Sequence, residues 1–159
     1  MAKESMKTIV VSGLLLLVGC SERREYAPEL LGTWENTFLM LESADVSEMD
    51  PRFEVFVADS NNWERVMGIK PVRTTYQADG TLSAEYRNLL DSVYTVAGGT
   101  WHTRDDSLYF FQWKPDTFIA TWRFAVAMDT LKMWGIVDWE RDGVRNDKYY
   151  GTQKRITID

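Results

Sequence analysis

One cysteine and one histidine stand in a chain of 159 residues. The single imidazole is too few for a zinc site, and the single cysteine has no disulfide partner within the chain. Positive charge is scarce as well. Lys3, Lys7 and Glu4 fall in the first 19 residues, and the remainder carries 16 basic against 23 acidic side chains, a net charge of −7. That sign speaks against nucleic acid, whose phosphates require a basic face. After the first twenty positions no apolar run approaches the roughly 18 residues of a membrane-spanning helix. Internal repeats and low-complexity tracts are absent from the sequence.

What is abundant is apolar and aromatic: 45% hydrophobic residues, 13% aromatic, and seven each of Trp, Tyr, Phe and Met. A chain of this length and composition is expected to form one domain with a real core.

The amino terminus divides into three parts. Lys3 and Lys7 give a basic start, Ile9 to Val18 is almost wholly apolar, and small Gly19 precedes Cys20; this is the pattern of a secretion signal. Leu17, Val18, Gly19 and Cys20 resemble a bacterial lipobox. The resemblance implies removal of residues 1–19 and acylation of Cys20, which becomes a lipid anchor to the membrane. Residues 20–29 are expected to form a charged tether, and 30–159 the folded domain. Ser21 is not the aspartate that resembles an inner-membrane retention signal, and Arg23 and Arg24 interrupt an acidic run. An outer-membrane lipoprotein of the cell envelope is therefore expected, facing either the periplasm or the surface.

From Leu31 onward, short runs rich in Val, Ile, Thr and aromatics alternate with turn residues, which predicts strands. They are placed at Thr33 to Leu41, Phe53 to Val57, Val72 to Ala78, Leu82 to Arg87, Val93 to His102, Leu108 to Trp113, Thr117 to Met128, Leu131 to Trp139, and Val144 to Ile156. Asp79–Gly80 and Asp142–Gly143 predict tight hairpins, and Gly98–Gly99 predicts a bulge or bend. Glu42 to Asp50 breaks the pattern. Asp59 or Ser60 is expected to cap a short helix carrying Trp63, Val66 and Met67, lying across one end of the fold. Strands joined so tightly run antiparallel, and one apolar face per strand is hidden most economically by closure. The predicted fold is all-β: an up-and-down meander closed into a barrel of 8–10 strands with one short helix.

Gly32, Thr33 and Trp34 at the start of the first strand resemble the Gly-x-Trp signature of the lipocalins. The runs YQADGTLSAEY, GGTWHTRDDSLYF, MDTLKMW and YYGTQKR resemble the lipocalin-like domains of Bacteroidota lipoproteins. That resemblance implies that Trp34 closes one barrel end against an arginine of the last strand, with Arg155 the first candidate and Arg145 the second.

Candidate chemistry is sparse. His102 lies near Asp105 and Asp106, but no nucleophile motif accompanies it, so catalysis is not expected. Asp138, Glu140, Asp142, Asn146 and Asp147 crowd oxygen ligands together without the alternating spacing of a calcium loop, and Arg141, Arg145 and Lys148 offset them; turn chemistry is expected there, and no metal or other cofactor. The aromatic surplus carries two readings. Trp101, Tyr109, Phe111, Trp113, Trp122, Phe124, Met133 and Trp134 either fill the barrel as core or line a cavity for a small, largely apolar ligand, with Arg123, Gln112 or Tyr94 orienting its polar end. A non-enzymatic binding protein is the leading expectation. A filled barrel acting as a protein-interaction module, with an apolar patch outside, is the alternative.

Overall fold

A computed structural model describes residues 25–44 and 53–158; Cys20 and the signal segment lie outside them, as does most of the pattern break at Glu42 to Asp50. Among the described residues nine strands and one short α-helix follow in order: β1 Gly32–Ala44, β2 Phe53–Asp59, α1 Trp63–Met67, β3 Arg73–Tyr76, β4 Thr81–Arg87, β5 Val93–Arg104, β6 Ser107–Lys114, β7 Phe118–Ala127, β8 Thr130–Val137 and β9 Asp147–Ile156. Every pairing is antiparallel. From β3 to β9 each strand pairs with the next, and β1 pairs with both β3 and β9, which closes eight strands into a barrel.

β2 is the extra strand. Trp34 on β1 is opposite Thr74 of β3, and beyond a bulge at Asn36/Phe38 the same edge of β1 continues along β2, with Leu39 opposite Ala58. β1 also runs on to Ala44, into the segment expected to break.

Turn chemistry sets the hairpins. Gly80 at the β3–β4 turn has φ 81°, and Asp79 Oδ1 accepts from the Thr81 amide at 2.9 Å and the Thr81 hydroxyl at 2.6 Å. These bonds hold the Asp79 carboxyl below its ordinary range. The β5–β6 register shifts at Gly98/Gly99, but the extra residue is Trp113 on β6, since Gly98 is opposite Lys114 and Gly99 opposite Gln112; a Cβ on Gly99 would collide with the Phe111 carbonyl. The expected hairpin at Asp142–Gly143 is instead a longer loop, because β9 begins at Asp147. Asp138 accepts from the amides of Asp142 and Gly143, both at 3.0 Å, and Asp147 from Trp139 N at 2.7 Å. Those carboxylates are used in holding loop backbone.

Two other expectations are corrected. Asn62, not Asp59 or Ser60, is the N-cap residue of α1; Asp59 Oδ1 accepts from the Asn61 and Asn62 amides and shapes the turn before it. The tether expected to reach residue 29 is docked from Glu25 onward. Glu25 forms a bridge with Thr103, Tyr26 packs edge-on to Trp101 at 5.4 Å, and Pro28–Leu30 is a 3-10 turn.

The closed end is solid. Leu30, Trp34, Leu108 and Leu131 are fully buried, and Trp101 joins them, packed edge-on to Tyr76 at 5.3 Å. Trp34 donates its Nε1 proton to the Leu30 carbonyl at 2.7 Å, and the Arg155 guanidinium lies 4.2 Å from the Trp34 ring centroid. Arg155 also donates to the carbonyls of Leu31 and Glu29. Gly32, with φ 109°, leaves the space this arginine needs, since a Cβ there would stand 3.2 Å from Arg155 Nη1.

Arg155→Ala removes the cation over Trp34 and both carbonyl contacts. A loss of about 2–3 kcal/mol of unfolding free energy is expected in urea. Arg155→Lys should recover less than half of it, because an ammonium cannot lie flat on the indole while spanning two carbonyls. An alanine variant as stable as the parent contradicts this closure.

Candidate functional site

Above the solid end the interior opens into a cavity of about 390 Å³. The inner face is set by β7, where Phe118, Ala120, Trp122, Phe124 and Val126 alternate with outward residues. Cross-strand partners share a face, so Gln112, Phe110 and Leu108 of β6, opposite Phe118, Ala120 and Trp122, also point inward.

The cavity has two unlike walls. One is aromatic: Phe110, Phe118 and Trp122, with Trp139 at the rim. Phe110 meets Trp122 edge-on at 5.3 Å, and Phe118 meets Trp139 edge-on at 6.2 Å. The other wall, from β1, β3, β4 and β9, carries Asn36, Thr74, Tyr76, Tyr86, Tyr149 and Gln153. Gln153 donates its amide to Asn36 Oδ1 at 2.7 Å. Tyr149 joins the walls: its ring lies 5.4 Å from Trp122 and 6.1 Å from Trp139. It does so by lying over Gly151, where a Cβ would stand 2.5 Å from the phenolic oxygen.

α1 contributes Trp63 and Met67 to the lining, and the 138–146 loop contributes Trp139 and Arg141. Arg141 is the cation among the lining residues; it is half exposed and pairs with Asp116 at 3.4 Å. Three buried polar atoms of the lining residues, Trp63 Nε1, Trp122 Nε1 and Gln153 Oε1, have no hydrogen-bond partner. Such atoms cost about 1–3 kcal/mol each.

Of the residues expected to line a cavity, Trp122 and Met133 do so. Phe124 points inward and packs on the core. Trp101 is also inward but belongs to the closed end, its Nε1 donating to the Gln77 carbonyl at 3.0 Å. Tyr109, Phe111, Trp113 and Trp134 are corrected: the β7 register turns Tyr109, Phe111 and Trp134 outward, Trp113 is the extra residue where the β5–β6 register shifts, and Phe111, Trp113 and Trp134 are 40%, 46% and 38% exposed. With Ile119 and Ile136 they form an apolar band on the outer face of β6–β8. Among the expected orienting groups, Gln112 is inward and donates to the Asp116 carbonyl at 3.1 Å. Arg123 is outward, paired with Asp106 at 2.8 Å, and Tyr94 is exposed. His102 stacks on Tyr109 at 4.7 Å on that outer face.

The tyrosine-rich wall and the rim were missed. The alternation of Tyr149, Gly151 and Gln153 with Lys148, Tyr150, Thr152 and Lys154 was the available signal for β9; nothing in strand periodicity points to Trp139 or Arg141, which sit in a loop. No protein-family model and no curated protein matches this sequence.

Burial pushes the phenols of Tyr76 and Tyr149 well above their ordinary range, and Tyr86 up as well. A phenol whose proton is held more tightly when folded stabilises the fold fully below its unfolded pKa of about 10. Above that pH the unfolded chain releases protons that the folded one keeps, so stability should fall as pH rises past about 10. Denaturation from pH 8 to 11 should show this slope, and Tyr76→Phe with Tyr149→Phe should flatten it. An unchanged slope in the double variant contradicts the burial of these phenols.

Proposed function

We propose that this chain is a lipid-anchored, non-enzymatic lipocalin-like protein of the cell envelope that holds a small, largely apolar, ring-bearing ligand in its barrel. The carrying observation is the cavity of about 390 Å³ with its wall of Phe110, Phe118, Trp122 and Trp139. Its size falls within the range of roughly 300–1,000 Å³ typical of small-molecule sites. Aromatic faces meeting edge-on and tilted favour flat or ring-containing guests.

The family resemblance is supported by Trp34 buried beneath Arg155 at the closed end. The anchor rests on the lipobox pattern at Cys20. Because the chain is docked from Glu25 at the closed end, an acylated Cys20 would lie within five residue steps of the barrel, at most roughly 17 Å. The mouth would then open away from the bilayer.

A second reading is favoured by the outer band of Phe111, Trp113, Ile119, Trp134 and Ile136. Contiguous exposed apolar surface marks docking sites, and an accessory module would use this face for another envelope protein.

Titration with fatty acids and fused-ring aromatics should give a saturable change in tryptophan emission. The change should persist in a Trp113→Lys/Trp134→Lys variant and weaken at least tenfold in Ala84→Leu, which narrows the cavity. No response across the panel contradicts the binding reading; crosslinking to one protein, lost in the Trp113→Lys/Trp134→Lys variant, would then support the second. The mass of membrane-extracted protein tests the anchor: an unmodified chain contradicts it.

A further inference from the structure

The cavity reading leaves open which end of a guest goes where, and three tyrosines bear on that. Tyr76 and Tyr149 are 2% and 8% exposed, Tyr86 is partly buried, and all three line the cavity. Neither the Tyr76 nor the Tyr149 hydroxyl has a hydrogen-bond partner among the described residues. Both residues line the cavity, beside the buried and unpartnered Trp122 Nε1 and Gln153 Oε1. They are also grouped: Tyr76 interacts electrostatically with Tyr149, and Tyr149 with Tyr86.

Buried tyrosine hydroxyls ordinarily find partners, because an unmade bond in a low-dielectric site carries the full desolvation penalty. Two such hydroxyls on residues lining one cavity are therefore donors awaiting an acceptor. Asn36 and Gln153 satisfy each other in part, and the lining cation, Arg141, is paired with Asp116 and reaches Tyr86 electrostatically but is not among the charges acting on Tyr76 or Tyr149. An anion placed between Tyr76 and Tyr149 would find no cation acting on either phenol, whereas a neutral oxygen would need none.

We propose that Tyr76 and Tyr149, with Tyr86 beside them, form a hydrogen-bond-donating pole that receives a neutral carbonyl or ether-type oxygen of the ligand, while its ring system lies on the aromatic wall. This rests on the ligand-binding reading above and names its ligand class: neutral, ring-bearing molecules with an oxygen acceptor at one edge. The polar wall is then the selective element. Hydrophobic walls discriminate weakly between guests of one shape, whereas a hydrogen-bonding site rejects a guest that leaves its groups unpaired.

Three probes of nearly one shape separate the outcomes: 2-acetylnaphthalene, its hydrocarbon counterpart 2-isopropenylnaphthalene, and the anion 2-naphthoate. In calorimetry at pH 7 the ketone should bind at least fivefold more tightly than the hydrocarbon and than the anion. In Tyr76→Phe and Tyr149→Phe the ketone's advantage should shrink toward unity while hydrocarbon affinity holds, which also shows that the variants keep the cavity. Equal binding of ketone and hydrocarbon by the parent chain, or an advantage unchanged in both variants, overturns the donor pole and leaves the binding reading standing. Tightest binding by 2-naphthoate overturns the neutral-acceptor assignment. Binding of none of the three overturns the ring-binding reading and the pole with it.

Discussion

The barrel exists because β1 is hydrogen-bonded along both edges. One edge runs against β9 from Thr33 to Glu42, and the other is divided between β3 and β2. Without the β1–β9 seam the chain is a long open meander with two exposed edges and an apolar face too large to cover. With it, the same face becomes an interior. Trp34 and Arg155 lock that seam at its lower end, directly opposite one another in the β1–β9 register. The bulge at Asn36/Phe38 then lets β1 bend and continue past β3, so that β2 pairs with it outside the closed eight strands and α1 reaches the cavity.

Closure also explains why the interior is not uniform. The lower half is filled by Leu30, Trp34, Trp101, Leu108 and Leu131. The upper half is opened by small residues facing large ones. Ala84 on β4 lines it, and Gly151 gives Tyr149 room to lie down along β9. The result is a chamber whose β6–β7 side is aromatic and whose β1–β3–β4–β9 side carries amides and hydroxyls, a division inherited from which strands supply which side chains.

Much of the fold was legible in the sequence. The nine strands, the helix, the irregularity at Gly98–Gly99 and the closing pair of Trp34 and Arg155 follow from alternation, turn residues and the Gly-x-Trp resemblance. The site was far less legible, for two physical reasons. β6 is apolar on both faces, so Tyr109, Phe111 and Trp113 satisfy the strand pattern as well as Leu108 and Phe110 do; only the register with the cleanly alternating β7 assigns inside from outside. The loop after β8 also looked like a tight Asp–Gly hairpin, yet Asp138 and Asp147 bind its backbone and hold it long enough to bring Trp139 and Arg141 to the rim. Loop conformation of that kind depends on hydrogen bonds between residues several positions apart, which periodicity does not encode.

The seven methionines offer the most direct measurement of where a guest sits, through the methyl resonances of methyl-labelled methionine during titration with 2-acetylnaphthalene. Met133 and Met67 line the cavity, Met40 lies between the inward Leu39 and Leu41 and so faces out, and Met128 is 93% exposed at a turn of the closed end. Saturable shifts of Met133 and Met67, with Met40 and Met128 unmoved, are the predicted result. Shifts confined to Met40, or none at saturating probe, would contradict an interior site.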